Sequence, residues 1–122
     1  MQEQPHDELT QLNQRLAAAR GRTIKSVVER LGIDDDVTVH RLFARAIINL
    51  DNAIQKIREE GGDLDGSKPA IVDPLIHHLT EVSTHPYLTE PNILPDEARA
   101  IVRLMLRRAE ITRNNVIPFK KK

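Results

Sequence analysis

The stretch Val39-His40-Arg41-Leu42-Phe43-Ala44-Arg45-Ala46-Ile47-Ile48-Asn49-Leu50-Asp51-Asn52-Ala53-Ile54-Gln55-Lys56-Ile57 decides the fold. Val39, Phe43, Ala46, Leu50, Ala53 and Ile57 recur at alternating spacings of four and three, with Leu42, Ile47 and Ile54 beside them. That is the period of a helix with one apolar seam sustained over nearly three heptads, and not the alternation of a strand. The pattern predicts one long helix over about residues 36–60, stopped by Gly61-Gly62. A seam this long must be covered along its whole length. The N-terminal segment supplies one cover, and a second copy of the chain could supply another.

Outward from that helix, Leu9, Leu12, Leu16 and Ala19 form an amphipathic stripe that predicts a helix from about Asp7 to Arg20, weakened at Gly21. Thr23 is placed to cap a shorter helix bearing Ile24, Val27, Val28 and Leu31, which Gly32 ends. The two can fuse, since one internal glycine costs only about 1 kcal/mol. Downstream, "GGDLDGSKP" reads as a polar loop. Asp73-Pro74 then looks like an N-cap with proline at the first helical position, opening a helix with Leu75, Ile76, Leu79 and Val82 inward. Pro95, followed by Asp96 and Glu97, opens the last helix, whose buried face is Ala98, Ile101, Val102, Met105 and Ala109. Asn114 and Asn115 are expected to end it.

The expected architecture is therefore all-α, with four to five helices and a helical hairpin built on the long central helix of residues 36–60. Residues 1–113 read as a single helical domain, and 114–122 as a flexible basic C-terminal tail. Aromatics are only 2% of the 122 residues, so the core must be built from aliphatic side chains, which favours helix-on-helix packing.

Composition narrows the function by exclusion. The chain has no cysteine, which removes disulfides, thiolate metal sites and a cysteine nucleophile. No apolar run approaches the roughly 20 residues that cross a bilayer, so no membrane role is expected. The first residues lack a basic region followed by an apolar one, and the expected location is cytoplasmic. His77-His78 and His85 do not converge as metal ligands, because neighbours on a helix point about 100° apart. "DLDGS" places its glycine and its twelfth residue wrongly for a calcium loop. Neither a phosphate-binding glycine loop nor a nucleophile elbow is present. No catalytic residue, metal or cofactor is expected.

Net charge is zero but unevenly spread. Residues 61–94 carry five acids against Lys68, and residues 95–122 carry eight Lys/Arg against three acids. Arg99, Arg103 and Arg107 recur every four residues on the last helix with Arg108 beside them, a stripe suited to an acidic protein or a phosphate backbone. The segment "STHPYLTEPNIL" concentrates Tyr87, Leu88 and Ile93 between prolines, as a binding loop or as a lid over the core.

Val27, Leu31, Gly32, Ile33, the pair Thr38-Val39 and Arg41 resemble a DNA-binding helix-turn-helix of the pattern V-A-x-x-L-G-[IV]-S-x-x-T-V-x-R. The interval from Gly32 to Thr38 is one residue longer than that pattern, and Val28 stands where it has alanine. The resemblance implies a regulator that reads DNA through residues 24–45, with Thr38, His40, Arg41 and Arg45 as contacts. Asp34, Asp35 and Asp36 oppose it, since negative charge at the first turn of a reading helix repels phosphate. A cap on the long helix explains them without DNA. The leading expectation is thus a non-catalytic helical interaction protein, self-associating or binding another protein through its helix faces and basic C-terminal helix, and the DNA-binding regulator is the alternative.

Overall fold

The computed structural model describes residues 5–32, 36–80 and 93–120. Among them the chain forms four helices and no strand: α1 (Pro5–Leu31), α2 (Asp36–Glu59), α3 (Pro69–Thr80) and α4 (Pro95–Lys120). The class is all-α.

The expected break at Gly21 does not occur. Leu12, Leu16, Ala19, Thr23 and Val27 are all buried, so one apolar stripe runs unbroken through both halves of α1. Gly21 lies on the solvent side with nothing within 4 Å of where a Cβ would stand, and it does not take a positive φ. Its modest helix penalty is outweighed by the continuous buried face. Thr23 consequently sits inside the helix at 4% exposure and does not act as a cap.

After α1, Gly32 takes φ +63° and its N–H donates to the Val28 carbonyl at 3.0 Å, closing the last turn. On the far side of this corner the Arg20 guanidinium lies 5.9 Å from the Phe43 ring centre. This contact joins α1 to the first half of α2.

The seam of α2 is as its spacing predicts. Val39, Phe43, Ala46, Ile47, Leu50 and Ile54 are buried, with Leu50 and Ile54 fully so, while Ala53 and Ile57 pack at its margin. The helix stops in a two-bond cap. The Gly62 N–H donates to the Ile57 carbonyl at 2.8 Å and the Gly61 N–H to that of Arg58 at 3.1 Å, with Gly61 at φ +74°. Arg113 of α4 then binds the Gly62 carbonyl at 2.9 Å, and Arg58 donates to Thr112 Oγ1 at 3.0 Å. These bonds tie the end of α2 to the flank of α4.

Within the loop, Leu64 is buried to 1% exposure and anchors it to the core. The Asp63 and Asp65 carboxylates accept from the backbone N–H two residues on, each at 2.9 Å, and Lys68 pairs with Asp63 at 2.7 Å. Helix α3 begins five residues before the expected start, at Pro69 in place of Pro74. The Lys68 carbonyl accepts from Ile71 and Val72, which puts Pro69 at the first helical position and leaves Pro74 inside the helix on its exposed side. The early start brings Val72 into register with Leu75 and Leu79, and all three are buried. Pro74 withholds one helical hydrogen bond from the Ala70 carbonyl, but Ala70 is exposed and open to solvent. Val82 lies outside the described residues.

Helix α4 contacts α1, α2 and α3, and its pairings with α1 and α3 are the broadest; among the described residues α1 and α3 do not meet each other. Ala98, Ile101, Val102, Met105, Leu106, Ala109 and Ile111 are buried on it, a stripe wide enough for three neighbours. At its start Glu97 Oε1 accepts from the Leu94 N–H at 2.9 Å, and the Leu94 carbonyl accepts from Ala98, so Leu94 is the N-cap residue. Its far end differs from expectation, because α4 continues through Asn114 and Asn115 to Lys120. Extending a packed helix costs far less than starting one, and asparagine falls only about 0.7 kcal/mol short of alanine.

Candidate interaction surface

Two sets of cations, on α4 and on the α1–α2 pair, were expected to meet partners. The structure treats them differently.

The arginines of α4 are largely committed within the chain. Arg107 grips Glu8 of α1 through Nε at 3.0 Å and Nη2 at 2.7 Å, and Glu110 through Nη1 at 2.9 Å. Those two carboxylates push the Arg107 guanidinium pKa further up. Arg108 donates to Asn13 of α1 at 3.1 Å and approaches Asp51 of α2 at 3.9 Å, so it binds three helices at one junction. Arg99 pairs with Asp96 at 2.7 Å, one turn back on its own helix. Arg103 is exposed, as Arg107 is, but has no ion-pair partner among the described residues. It borders an open cleft of about 540 Å³ with Asp65, Gly66, Ser67, Arg107 and Glu110. A Cβ at Gly66 would rest in ordinary contact with the Arg103 backbone, at 3.4 Å. Arginine and carboxylate are balanced in that cleft, and the Asp65 carboxylate is already bound by the Ser67 N–H and hydroxyl. The hydroxyl bond is the main cause holding the Asp65 pKa below its ordinary value.

The cations of α1 and α2 are not committed in this way. Residues 9–28 contain Arg15, Arg20, Arg22 and Lys25 and no acid; residues 37–50 contain Arg41, Arg45 and His40 and no acid. Arg20 covers Phe43. The side chains of Arg15, Arg22, Lys25, His40, Arg41 and Arg45 are exposed, and none has an ion-pair partner among the described residues. The acids nearest the far end of this region, Glu8 and Asp51, are occupied by Arg107 and Arg108. Val37 and Ile48 stand on the same helix at 58% exposure each.

Of the residues singled out from sequence, His40, Arg41 and Arg45 are thus brought onto one exposed helix surface. Thr38 belongs to the first turn of α2, but its side chain, with Tyr87 and Leu88, lies outside the described residues. Ile93 is 3% exposed and part of the core cluster. Sequence reasoning passed over Arg15, Arg22 and Lys25, although twenty residues without an acid were visible as a signal. His77 and His78 stack on each other with ring centres 4.3 Å apart, and no group of three potential metal ligands occurs among the described residues. No helix is long and apolar enough to cross a membrane among the described residues. Family models, curated proteins and solved structures yield no match to this chain.

Proposed function

We propose that the chain is a non-catalytic interaction module that engages an anionic partner through the outer face of α1 and α2. The observation that carries this reading is the contrast in how the cations are used. Arg99, Arg107 and Arg108 on α4 are paired internally, whereas Arg15, Arg22, Lys25, Arg41 and Arg45 are exposed and have no ion-pair partner among the described residues. A surface of one sign attracts and orients a partner of the other.

This relocates the interaction from the C-terminal helix to the N-terminal pair. It also weakens the motive for self-association. The α2 seam that called for a second copy is covered inside one chain, with Leu50 and Ile54 at 0% exposure. Two copies meeting through this face would set cation against cation. The partner proposed is another protein.

The test is fluorescence anisotropy with a labelled polyglutamate peptide at low salt. Arg41→Glu with Arg45→Glu is expected to reduce binding more than tenfold, and Arg99→Glu with Arg103→Glu much less. The reverse order would return the site to α4 and refute the proposal. A second reading, the DNA-binding regulator, is supported by the exposure of His40, Arg41 and Arg45. It predicts affinity for duplex DNA that falls steeply between about 50 and 200 mM salt. Asp34, Asp35 and Asp36, before and at the start of α2, speak against it, because negative charge there repels phosphate.

A further inference from the structure

We infer that the cleft between the loop of residues 62–68 and α4 binds a small zwitterion, one whose carboxylate and ammonium stand several bonds apart as in an ω-amino acid. This site uses none of the cations on α1 and α2 and is independent of the anionic-partner reading.

The cleft holds about 540 Å³, inside the roughly 300–1,000 Å³ of small-molecule sites. One wall is α4, where Arg103, Arg107 and Glu110 follow at steps of four and three and so share one side of the helix. The other wall is the turn Asp65-Gly66-Ser67. Its backbone lies so near that a Cβ on Gly66 would stand 3.4 Å from Arg103 Cα and 3.5 Å from Arg103 Cγ. Most polar groups of the two walls already have partners. Arg107 gives Nε and Nη2 to Glu8 and Nη1 to Glu110. Asp65 Oδ1 accepts from the N–H and the hydroxyl of Ser67, at 2.9 and 2.6 Å.

Two opposite charges are left over. The Arg103 guanidinium has no hydrogen-bond or ion-pair partner among the described residues, and Asp65 Oδ2 accepts no hydrogen bond among them. The two groups border one cleft without pairing, while Ser67 holds the Asp65 carboxylate in its own turn. That combination selects the ligand. Inorganic phosphate would gain Arg103 but meet Asp65 and Glu110 as like charges, and a diamine would gain Asp65 but meet Arg103 and Arg107. A zwitterion satisfies both sides. Its carboxylate takes charge-assisted N–H bonds from Arg103 while its ammonium donates to Asp65 Oδ2. Because the two protein groups do not reach each other, the ligand's charges must be separated by a chain and not share one carbon. The open cleft leaves both pairs in contact with water, which keeps the affinity in the millimolar range.

The experiment follows the backbone amides and the Arg103 Nε–H of the full chain by NMR at constant salt, while δ-aminovalerate, valerate or butylamine is titrated in. δ-Aminovalerate is expected to give saturable shifts at Gly66, Ser67 and Arg103, and to bind at least about tenfold tighter than either single-charge probe. Arg103→Met and Asp65→Asn should each erase that margin. Arg103 is exposed, Asp65 is half-buried, and asparagine keeps the Oδ1 that Ser67 binds, so both variants keep the fold; thermal melts check this. Valerate binding as tightly as δ-aminovalerate, with Asp65→Asn without effect, overturns the inference in favour of a plain anion site. Butylamine doing the same, with Arg103→Met without effect, overturns it in favour of a cation site. Absence of saturable shifts at all three residues overturns it altogether. None of these results touches polyglutamate binding at Arg41 and Arg45, so the two readings stand or fall separately.

Discussion

Replacing Gly21 by alanine is expected to stabilise the protein. Gly21 lies in the interior of α1, is exposed, has no positive φ, and has open space where a Cβ would stand. The new methyl group meets nothing, and the unfolded chain loses conformational freedom. The gain should therefore approach the intrinsic difference between the two residues in a helix, about 0.8–1.0 kcal/mol. For 122 residues an unfolding entropy of about 2.1 cal/mol/K per residue gives roughly 0.26 kcal/mol/K, so Tm should rise by about 4 °C. Gly61→Ala is the control. Gly61 sits at φ +74° in the cap of α2, where a side chain costs about 1–2 kcal/mol, and its Tm should fall by a similar or larger amount. Differential scanning calorimetry on the three proteins measures both changes. A Tm for Gly21→Ala at or below that of the parent would mean that α1 bends or ends at residue 21, and the continuous stripe through Thr23 would have to be abandoned.

Leu64→Ala should cost about 2–4 kcal/mol in urea unfolding, as much as a helical core position, because Leu64 is 1% exposed despite lying in a polar loop. A double-mutant cycle on Glu8 and Arg107 should return a coupling of about 1 kcal/mol or less that shrinks as salt is added, since both side chains are partly exposed. The carboxyl pKa of Asp63 is lowered chiefly by its bond from Lys68, and that of Asp65 chiefly by its bond from Ser67. A folded pKa below the ordinary 3.8 means that their contribution to the loop is present above that value and lost as pH falls through the lower folded values. Amide exchange at Asp65 and Ser67 should accelerate below pH 3.8, and Asp63→Asn should remove the Asp65 share of that response.

The helices were legible where burial follows one face of one helix. The α2 seam needed only its four-and-three spacing, and Val39 through Ile54 are buried accordingly. Legibility failed where neighbours decide. Thr23 reads locally as a cap, and only the continuation of the stripe to Val27 shows it buried. Asp73-Pro74 carries a stronger helix-start signal than Lys68-Pro69, yet burial of Val72 selects the earlier start. Leu106 escaped notice because a helix with one partner needs fewer apolar positions than α4, which serves three. The corner motif shows the same limit. Gly32 does terminate a helix, but residue types cannot say whether the next helix crosses the first or lies along it.

The charge pattern is the case where composition misleads most. A net positive C-terminal segment suggests a basic surface, but charge in sequence becomes charge on a surface only after internal pairing is subtracted. Arg107 and Arg108 reach Glu8, Glu110, Asn13 and Asp51 and hold α4 to the two helices beside it. Two of those contacts, to Glu8 and Asp51, occupy acids of α1 and α2, so they remove a cation from α4 and a counter-charge from α1 and α2 together. The stretches between them, residues 9–28 and 37–50, contain no acid of their own. Within the described residues, the folding contacts of α4 and the uncommitted cations of α1 and α2 are thus two consequences of one allocation of charge. Breaking the Glu8 pair by Arg107→Ala should accordingly weaken anionic-partner binding on α1, a helix that Arg107 does not belong to, by releasing a carboxylate at its edge.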